Sequence, residues 1–527
     1  MKKRIMALCL TMLLALSGCG SNGSQNAETG DSSGSASGMA LTAVEDTLTI
    51  GATSEVFSLD PPSQNDSSSG QVIVQIFDGL VQPDYENGGV KPCLAESWEM
   101  IDDVTYRFHL REGVMTHNGD ELTAEDVLYT VERGVASSYK QYVWGCVDAE
   151  NSQVVDTYTI DIKLLYPNAS FLQYLVDPGA SIVSKAGVEA AGGEEAHGRN
   201  PLGATGPYKF KEWIAGDRIV LERNENYWGD APYFKNLVFR VISDGTSRSL
   251  SLETGEIDFA FDILPAQVEQ FEASDAVDVI RYDGMTTTYL CFNTAHEPLN
   301  DVRVRQALRY ALDLESMVNV AFAGTGSVGD GPLTPTNADY SAPGEDVAYT
   351  YNLEKAKELL AEAGYPDGFT ISLWTNENQA RIDLAEMIQN AWGQIGVTVE
   401  YTIMEFASML ELESAGEHDC FIQGFVSVAN SGDTMYDKFY STSGYTSNTA
   451  AYQNPKFDEL MDAARGEFDD ATRKEIYAEV QDLLREELPW IYLQFNENLY
   501  GIRSTLTGFN NDPGAMPRFA TIVPKAS

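Results

Sequence analysis

VTYRFHLREGVMTHNGDELTAEDVLYTVER, residues 104–133, reads as a strand, a turn and a helix in one run. Over Val104–Leu110 apolar and polar residues alternate, so one face of a strand is apolar. Asn118-Gly119 is a turn signal, because glycine takes the left-handed conformation without steric cost. Thr123-Ala-Glu-Asp126 then opens a helix. A threonine cap with acids in the first turn satisfies free N–H groups and the helix dipole. Working outward, strands and helices continue to alternate. Asp46–Ala52 is a period-two strand, and Asp301 caps a helix carrying Val304, Ala307, Leu308, Ala311 and Leu312 on one face. The segment Asn352–Ala363 is a helix stopped by Gly364, and further helices are expected near 380–395, 455–465 and 470–487. Thr370–Trp374, Val397–Ile403 and Cys420–Phe425 read as strands. Such alternation predicts an α/β architecture, and no internal repeat suggests a solenoid.

Composition narrows the functional classes. The chain has 527 residues, 34 Lys and Arg against 79 Asp and Glu, and a formal net charge of −45. That surface repels nucleic acid and anionic headgroups. A body of roughly 480 residues exceeds what one core normally serves, so at least two lobes are expected. Cys93, Cys146, Cys291 and Cys420 are far apart with no CxxC spacing, which argues against a metal ribbon. Cys291 and Cys420 lie in apolar runs and read as buried and unpaired.

The amino terminus carries an address. Lys2, Lys3 and Arg4 precede an apolar run from Ile5 to Leu16, and Leu16-Ser17-Gly18-Cys19 follows. A basic n-region, a short apolar h-region and small residues form a secretory signal, too short to span a bilayer core of ~30 Å. The final four residues resemble the lipobox of bacterial lipoproteins, which implies cleavage after residue 18 and diacylation of Cys19. Two acyl chains anchor stably where one does not. Residues 19–45 read as a flexible tether, being mostly Gly, Ser, Asn, Thr and Ala from 20 to 38. As a coil of about 25 residues it would reach ~25–30 Å.

Several blocks resemble the family 5 extracellular solute-binding proteins, the peptide, nickel and glutathione receptors of ABC importers. They are residues 104–133, GATGPYKFKEWIAGDRIVLERNENYWG at 203–229, PLNDVRVRQALRYALD at 298–313, residues 353–364, and LPWIYLQFNENLYGIRSTLTGF at 488–509. The resemblance implies a bilobed type II periplasmic-binding-protein fold with discontinuous lobes. It places lobe I at 46–291 with an extra subdomain at about 79–182, lobe II at 292–489, and a return to lobe I at 490–527. The two crossings, near Cys291–Asn293 and Pro489–Tyr492, would form the hinge. Permease and ATPase subunits would be the partners of a monomeric receptor on the outer face of the cytoplasmic membrane, periplasmic where an outer membrane exists. Its ligand would be a short peptide or a peptide-like solute such as glutathione. A nickel complex, a haem or an oligosaccharide stays open, as does a sensor or hydrolase on the same fold.

The match is uneven at the pocket. Peptide-binding members follow a Gly-Trp strand end with an Asp that pairs with the peptide amine. Here Gly424-Phe425 leads to Val428 at that place. Asn430-Ser431-Gly432-Asp433-Thr434-Met435-Tyr436 resembles a variant of the glutathione-receptor branch. Asp433 then reads either as a displaced amine partner or as a cap of the following helix. Arg381, after the strand ending at Trp374, reads as a carboxylate clamp or as a surface partner of Asp383 or Glu377. Phe406 reads as a pocket aromatic or as core. Ser54, Phe57 and Asp60 follow the first strand at its carboxyl end, where open α/β sheets place ligands.

No catalytic constellation emerges, so no enzyme, cofactor or metal is expected. Gly324-Thr-Gly326-Ser-Val-Gly329 matches GxGxxG but follows a helix and runs into Asp330-Gly331-Pro332, where a dinucleotide site needs strand before and helix after. The histidines at 109, 117, 197, 296 and 418 are scattered.

Overall fold

The computed structural model describes residues 46–84, 89–344, 347–427, 429–510 and 512–526. The signal, Cys19, the tether and Val428 therefore lie outside the described residues.

The strand Thr105–Leu110 buries Tyr106, Phe108 and Leu110, as its alternation requires. It sits inside a small antiparallel sheet ordered Ala95–Asp102, Thr105–Leu110, Thr159–Lys163, Gln153–Asp156. The helix Ala124–Ala136 starts where Thr123 caps it, with the Asp126 carboxylate accepting from Thr123 N at 3.0 Å. Phe108, Val127, Val131, Trp144 and Phe171 close a separate core over this sheet. This sheet, its helix and their core form a subdomain of their own.

A larger sheet unites the two lobes. Its backbone is the strand Val277–Phe292, antiparallel to Trp490–Arg503. On one side follow Cys420–Val426, Thr370–Asn376 and Thr398–Met404; on the other, Phe259–Ala260, Thr47–Ala52 and Asn236–Val241. Cores built on Leu290, Phe292, Ile371, Leu373, Trp392 and Ile491, and on Tyr289, Phe421, Phe439 and Trp490, fill lobe II. One built on Leu48, Ile50, Phe259, Tyr500 and Phe519 fills lobe I. Tyr289 stacks on Trp490 at 3.7 Å between ring centroids.

The long strand pair is regular where it enters the lobe II cores. Pairing runs unbroken through Leu290–Ile491 and Cys291–Trp490, and residues 286–292 also pair with Cys420–Val426. The register shifts between Asp283 and Thr287 and again between Thr288 and Tyr289. The cause of the first shift is local. At Gly284 a Cβ would stand 2.4 Å from the Asn496 side chain, whose Oδ1 accepts from Thr286 N at 2.8 Å. Residues 289–292 and 490–493 pack into the lobe II cores, and the strand pair runs on from there toward the lobe I core.

All four described cysteines are buried and unpaired. No helix among the described residues is long and apolar enough to cross a membrane.

Candidate functional site

The strand Cys420–Val426 buries its first four residues and leaves Phe425 and Val426 half-buried or exposed at its carboxyl end. The chain then turns through Ser431, which accepts from Asp433 N, into the short helix Tyr436–Phe439. Facing this turn are residues 138–146 and 166–174 of the subdomain. Between them lies a cavity of about 740 Å³ walled by Tyr139, Tyr142, Tyr166, Tyr174 and Phe425, with Asp433, Asp437, Lys438 and Arg465 as its charged groups.

Asp433 and Arg465 neutralise one another. Arg465 Nε and Nη2 donate to the two Asp433 oxygens at 2.6 and 3.2 Å, and Tyr174 Oη donates at 2.7 Å. The Asp433 side chain is fully buried. Burial alone would lower the Arg465 pKa, but the Asp433 charge and hydrogen bond push it above its ordinary value. Its guanidinium also lies over the Tyr436 ring, 3.2 Å from the centroid. Tyr174 belongs to the subdomain and Asp433 to lobe II, so this group joins the two. Ser170 Oγ to Ser431 Oγ at 2.7 Å and Ala169 N to Arg465 O at 2.9 Å add to the joint. The opposite wall is held by Asp177, which accepts from Lys140 Nζ at 3.0 Å and Tyr142 Oη at 2.8 Å.

Phe425, Asp433 and, just behind the wall, Tyr436 stand together as the sequence suggested. Phe425 lies under the Lys438 ammonium at 5.6 Å and edge-on to Trp490. Asp433, however, is neither a free amine partner nor a helix cap, because its oxygens face Arg465 and Tyr174. Phe57 is 59% exposed and reaches the cavity through Tyr139, 6.3 Å away between ring centroids.

The remaining candidates lie elsewhere. Asn430 borders a separate hollow of about 80 Å³ with Met285 and Met516, and its Oδ1 accepts from Ala338 N. Arg381 Nη1 donates to Asn376 Oδ1 at 3.1 Å, and the guanidinium packs over Gly424 where a Cβ would meet it at 2.9 Å. It lines no part of the cavity and, among the described residues, pairs with neither Asp383 nor Glu377. Trp374 packs edge-on to His418 against the lobe II core. Phe406 begins the helix Phe406–Ser414 and is 46% exposed, neither core nor cavity wall. Ser54 Oγ bonds Ser68 Oγ at 2.6 Å beside a hollow of about 10 Å³. Asp60 is buried and takes Arg133 and His197. Burial opposes its charge, yet these partners hold its pKa down at about 2, which makes it a structural tie to the helix Ala124–Ala136.

The sequence reading did not single out Tyr139, Tyr142, Tyr166, Tyr174, Asp437, Lys438 or Arg465, which border this cavity. Tyr-Lys-Gln-Tyr at 139–142 and Tyr-Asp-Lys-Phe at 436–439 were visible as aromatic and charged clusters, whereas Arg465 carried no local signal.

Among the described residues the cavity has one thiol at its border. In Cys146, burial first and the Asp433 charge second push that thiol up to about 12, so it stays protonated. Among the described residues no cluster of His, Cys, Asp and Glu could hold a metal ion.

The subdomain and lobe II face each other across this hollow. The chain belongs to the bacterial extracellular solute-binding proteins of family 5, whose middle region matches residues 89–447. It is 30% identical over 476 residues to the glutathione-binding protein GsiB of Pectobacterium atrosepticum, covering 88% of this chain and 91% of that one. It is likewise 30% identical over 480 residues to the dipeptide-binding protein of Escherichia coli, covering 85% and 89%. The periplasmic binding protein DppA of Helicobacter pylori, solved with the peptide STSA, superposes with a TM-score of 0.79 at 27% identity, covering 91% of this chain and 98% of that one. The family consists of substrate-binding proteins of transporters, not enzymes.

Proposed function

We propose that this protein is the lipid-anchored receptor of an ABC importer, capturing a short peptide or peptide-like solute between its lobes and delivering it to a membrane permease. The observation that carries the reading is the cavity of about 740 Å³, rimmed by tyrosines and enclosed jointly by the subdomain and lobe II. Aromatic walls give apolar area at small entropic cost, and a few polar groups fix orientation. Relatives named for glutathione and dipeptide binding support the solute class. Ligand released by denaturing the purified protein should appear in mass spectrometry as a peptide or peptide-like mass. A sugar, a haem or a metal chelate there would replace this reading.

Closure should be measurable. Lobes that shut on a solute lower the radius of gyration in small-angle scattering. Ligand at a hundred times its dissociation constant should add about 2.7 kcal/mol of stability. An unchanged radius at saturation would count against a clamp whose hinge is the strand pair at Asp283–Thr287.

Anchoring has its own test. Cys19→Ala should abolish incorporation of labelled palmitate at this protein's mass, since the thiol at the cleavage site is the acyl acceptor. Label persisting in the variant would refute the lipobox reading.

A further inference from the structure

A second hollow, of about 210 Å³, shares no lining residue with the large cavity. It lies where the helix Asp470–Glu487 gives way to the strand Trp490–Arg503, and Arg309, Val328, Asp330, Tyr349, Leu488 and Tyr492 border it. Three of these carry polar groups whose bonding is incomplete. Arg309 forms no ion pair among the described residues, in a chain with 79 acids against 34 bases. Its Nη1 donates to Leu312 O at a long 3.5 Å, and its guanidinium lies 5.6 Å from the centre of the Tyr349 ring. Burial pulls its pKa down to about 10, opposed only by the Tyr349 and Tyr310 hydroxyls. Tyr492 is 3% exposed, and its hydroxyl has no hydrogen-bond partner among the described residues. Asp330 Oδ2 accepts from Tyr340 Oη at 2.7 Å, but Oδ1 is buried and accepts no hydrogen bond. Arg485 comes within 3.8 Å of that oxygen, yet its three nitrogens donate to Asp330 O, Asp482 Oδ1 and Ser341 O. Buried polar groups in folded proteins are nearly always paired, so orphans gathered at one hollow call for an external partner.

We infer that this hollow is a second binding site, for a small zwitterion of the α-amino-acid class. The solute's carboxylate would meet Arg309 and the Tyr492 hydroxyl, and its ammonium would meet Asp330 Oδ1. Arg309 and Asp330 border one hollow without pairing with each other, so a solute carrying both charges satisfies both at once. A simple anion would leave the Asp330 oxygen orphaned and add a like charge beside it. A simple cation would do the same to Arg309. The guanidinium offers parallel N–H groups that match the two oxygens of a carboxylate. Val328, Tyr349 and Leu488 supply apolar wall for a short side chain. A single water needs about 10–15 Å³ of such space, so a solute of several heavy atoms fits.

The test is thermal unfolding of the purified mature protein with glycine as the probe, and with acetate and methylammonium as probes of each charge alone, at constant ionic strength. Glycine should raise the melting temperature saturably, because a solute that binds only the folded state stabilises it by mass action. Acetate and methylammonium should each need at least about tenfold more for the same shift, the order of losing one charge-assisted contact. Arg309→Gln and Asp330→Asn should each weaken the glycine response by about tenfold or more. Tyr492→Phe separates binding from folding. Its hydroxyl has no partner among the described residues, so without glycine the variant should melt at or above wild type, while its response to glycine falls severalfold. Where a charge variant fails to fold, Tyr492→Phe decides. No saturable glycine shift in wild type would overturn the site. Acetate acting at the same concentration as glycine would overturn the zwitterion in favour of a simple anion. A glycine response within about threefold of wild type in the folded variants would put the solute in another cavity and overturn the assignment.

Discussion

Asp433→Asn is expected to lower folding stability by about 3–5 kcal/mol, the usual cost of removing one partner of a buried ion pair. The substitution leaves the Arg465 guanidinium, only 13% exposed, without the carboxylate that accepts from it at 2.6 and 3.2 Å. It also weakens the acceptor for Tyr174, and with it the contact between subdomain and lobe II. The geometry turns an apparent binding residue into a structural one, so lost ligand affinity in this variant would follow from a disturbed wall. Urea unfolding should show the drop as a lower midpoint with an unchanged slope. The double substitution Asp433→Asn with Arg465→Met should recover much of the loss, since replacing both ions leaves no uncompensated charge. A midpoint for Asp433→Asn equal to wild type would show that the pair does not hold the wall. Tyr174→Phe should cost less, about 1–3 kcal/mol, because it removes one donor and leaves the ion pair.

The parts of the fold that could be read in advance are those determined within a few residues. The strand at 105–110 and the helix at 124–136 follow from alternation and a cap, and Gly364 does end a helix in the left-handed conformation, φ +93°. The strand Val277–Phe292 was not legible. Asp278, Asp283 and Gly284 interrupt its pattern, and its stability comes from Trp490–Arg503, some two hundred residues away. The register shift after Asp283 has the same origin, because it depends on Asn496 filling the space beside Gly284.

At the site, the turn after Phe425 was recognisable from its polar residues, but the partner of Asp433 was not. Arg465 arrives from the helix Pro455–Gly466, and only packing brings it back. Trp374 lies away from this cavity for a reason internal to strands. Side chains alternate faces, so Leu373 and Thr375 enter the core while Trp374 points to the other side, toward His418. A candidate chosen for residue type alone has an even chance of facing the wrong way.

Glu413→Gln is expected to stabilise the protein at alkaline pH and to change it little in acid. Glu413 is almost fully buried in lobe II, where both carboxyl oxygens lie 2.9 Å from Gln423 Nε2. Burial pushes its pKa from 4.5 up to about 8, against the opposing effects of the Gln423 hydrogen bond and the Arg381 charge. Arg381, Gln423 and Tyr289 are the polar groups around it, and Tyr289 stays protonated well above its ordinary range. A carboxyl whose folded pKa exceeds its unfolded value binds a proton on folding. Its favourable contribution is complete below 4.5 and is lost as pH rises through about 8. At roughly 1.4 kcal/mol per pH unit, ionisation of this one group would cost a few kcal/mol at alkaline pH. Glutamine keeps the shape and an oxygen for Gln423 but cannot ionise. The urea midpoint of the variant should therefore match wild type near about pH 5 and exceed it near about pH 9. His117 and His418, pushed down to about 4 by burial, titrate alike in both proteins and cancel in the comparison. A difference between the two midpoints that stays constant across this range would mean that Glu413 folds already ionised, with Arg381 rather than a proton as its counter-charge.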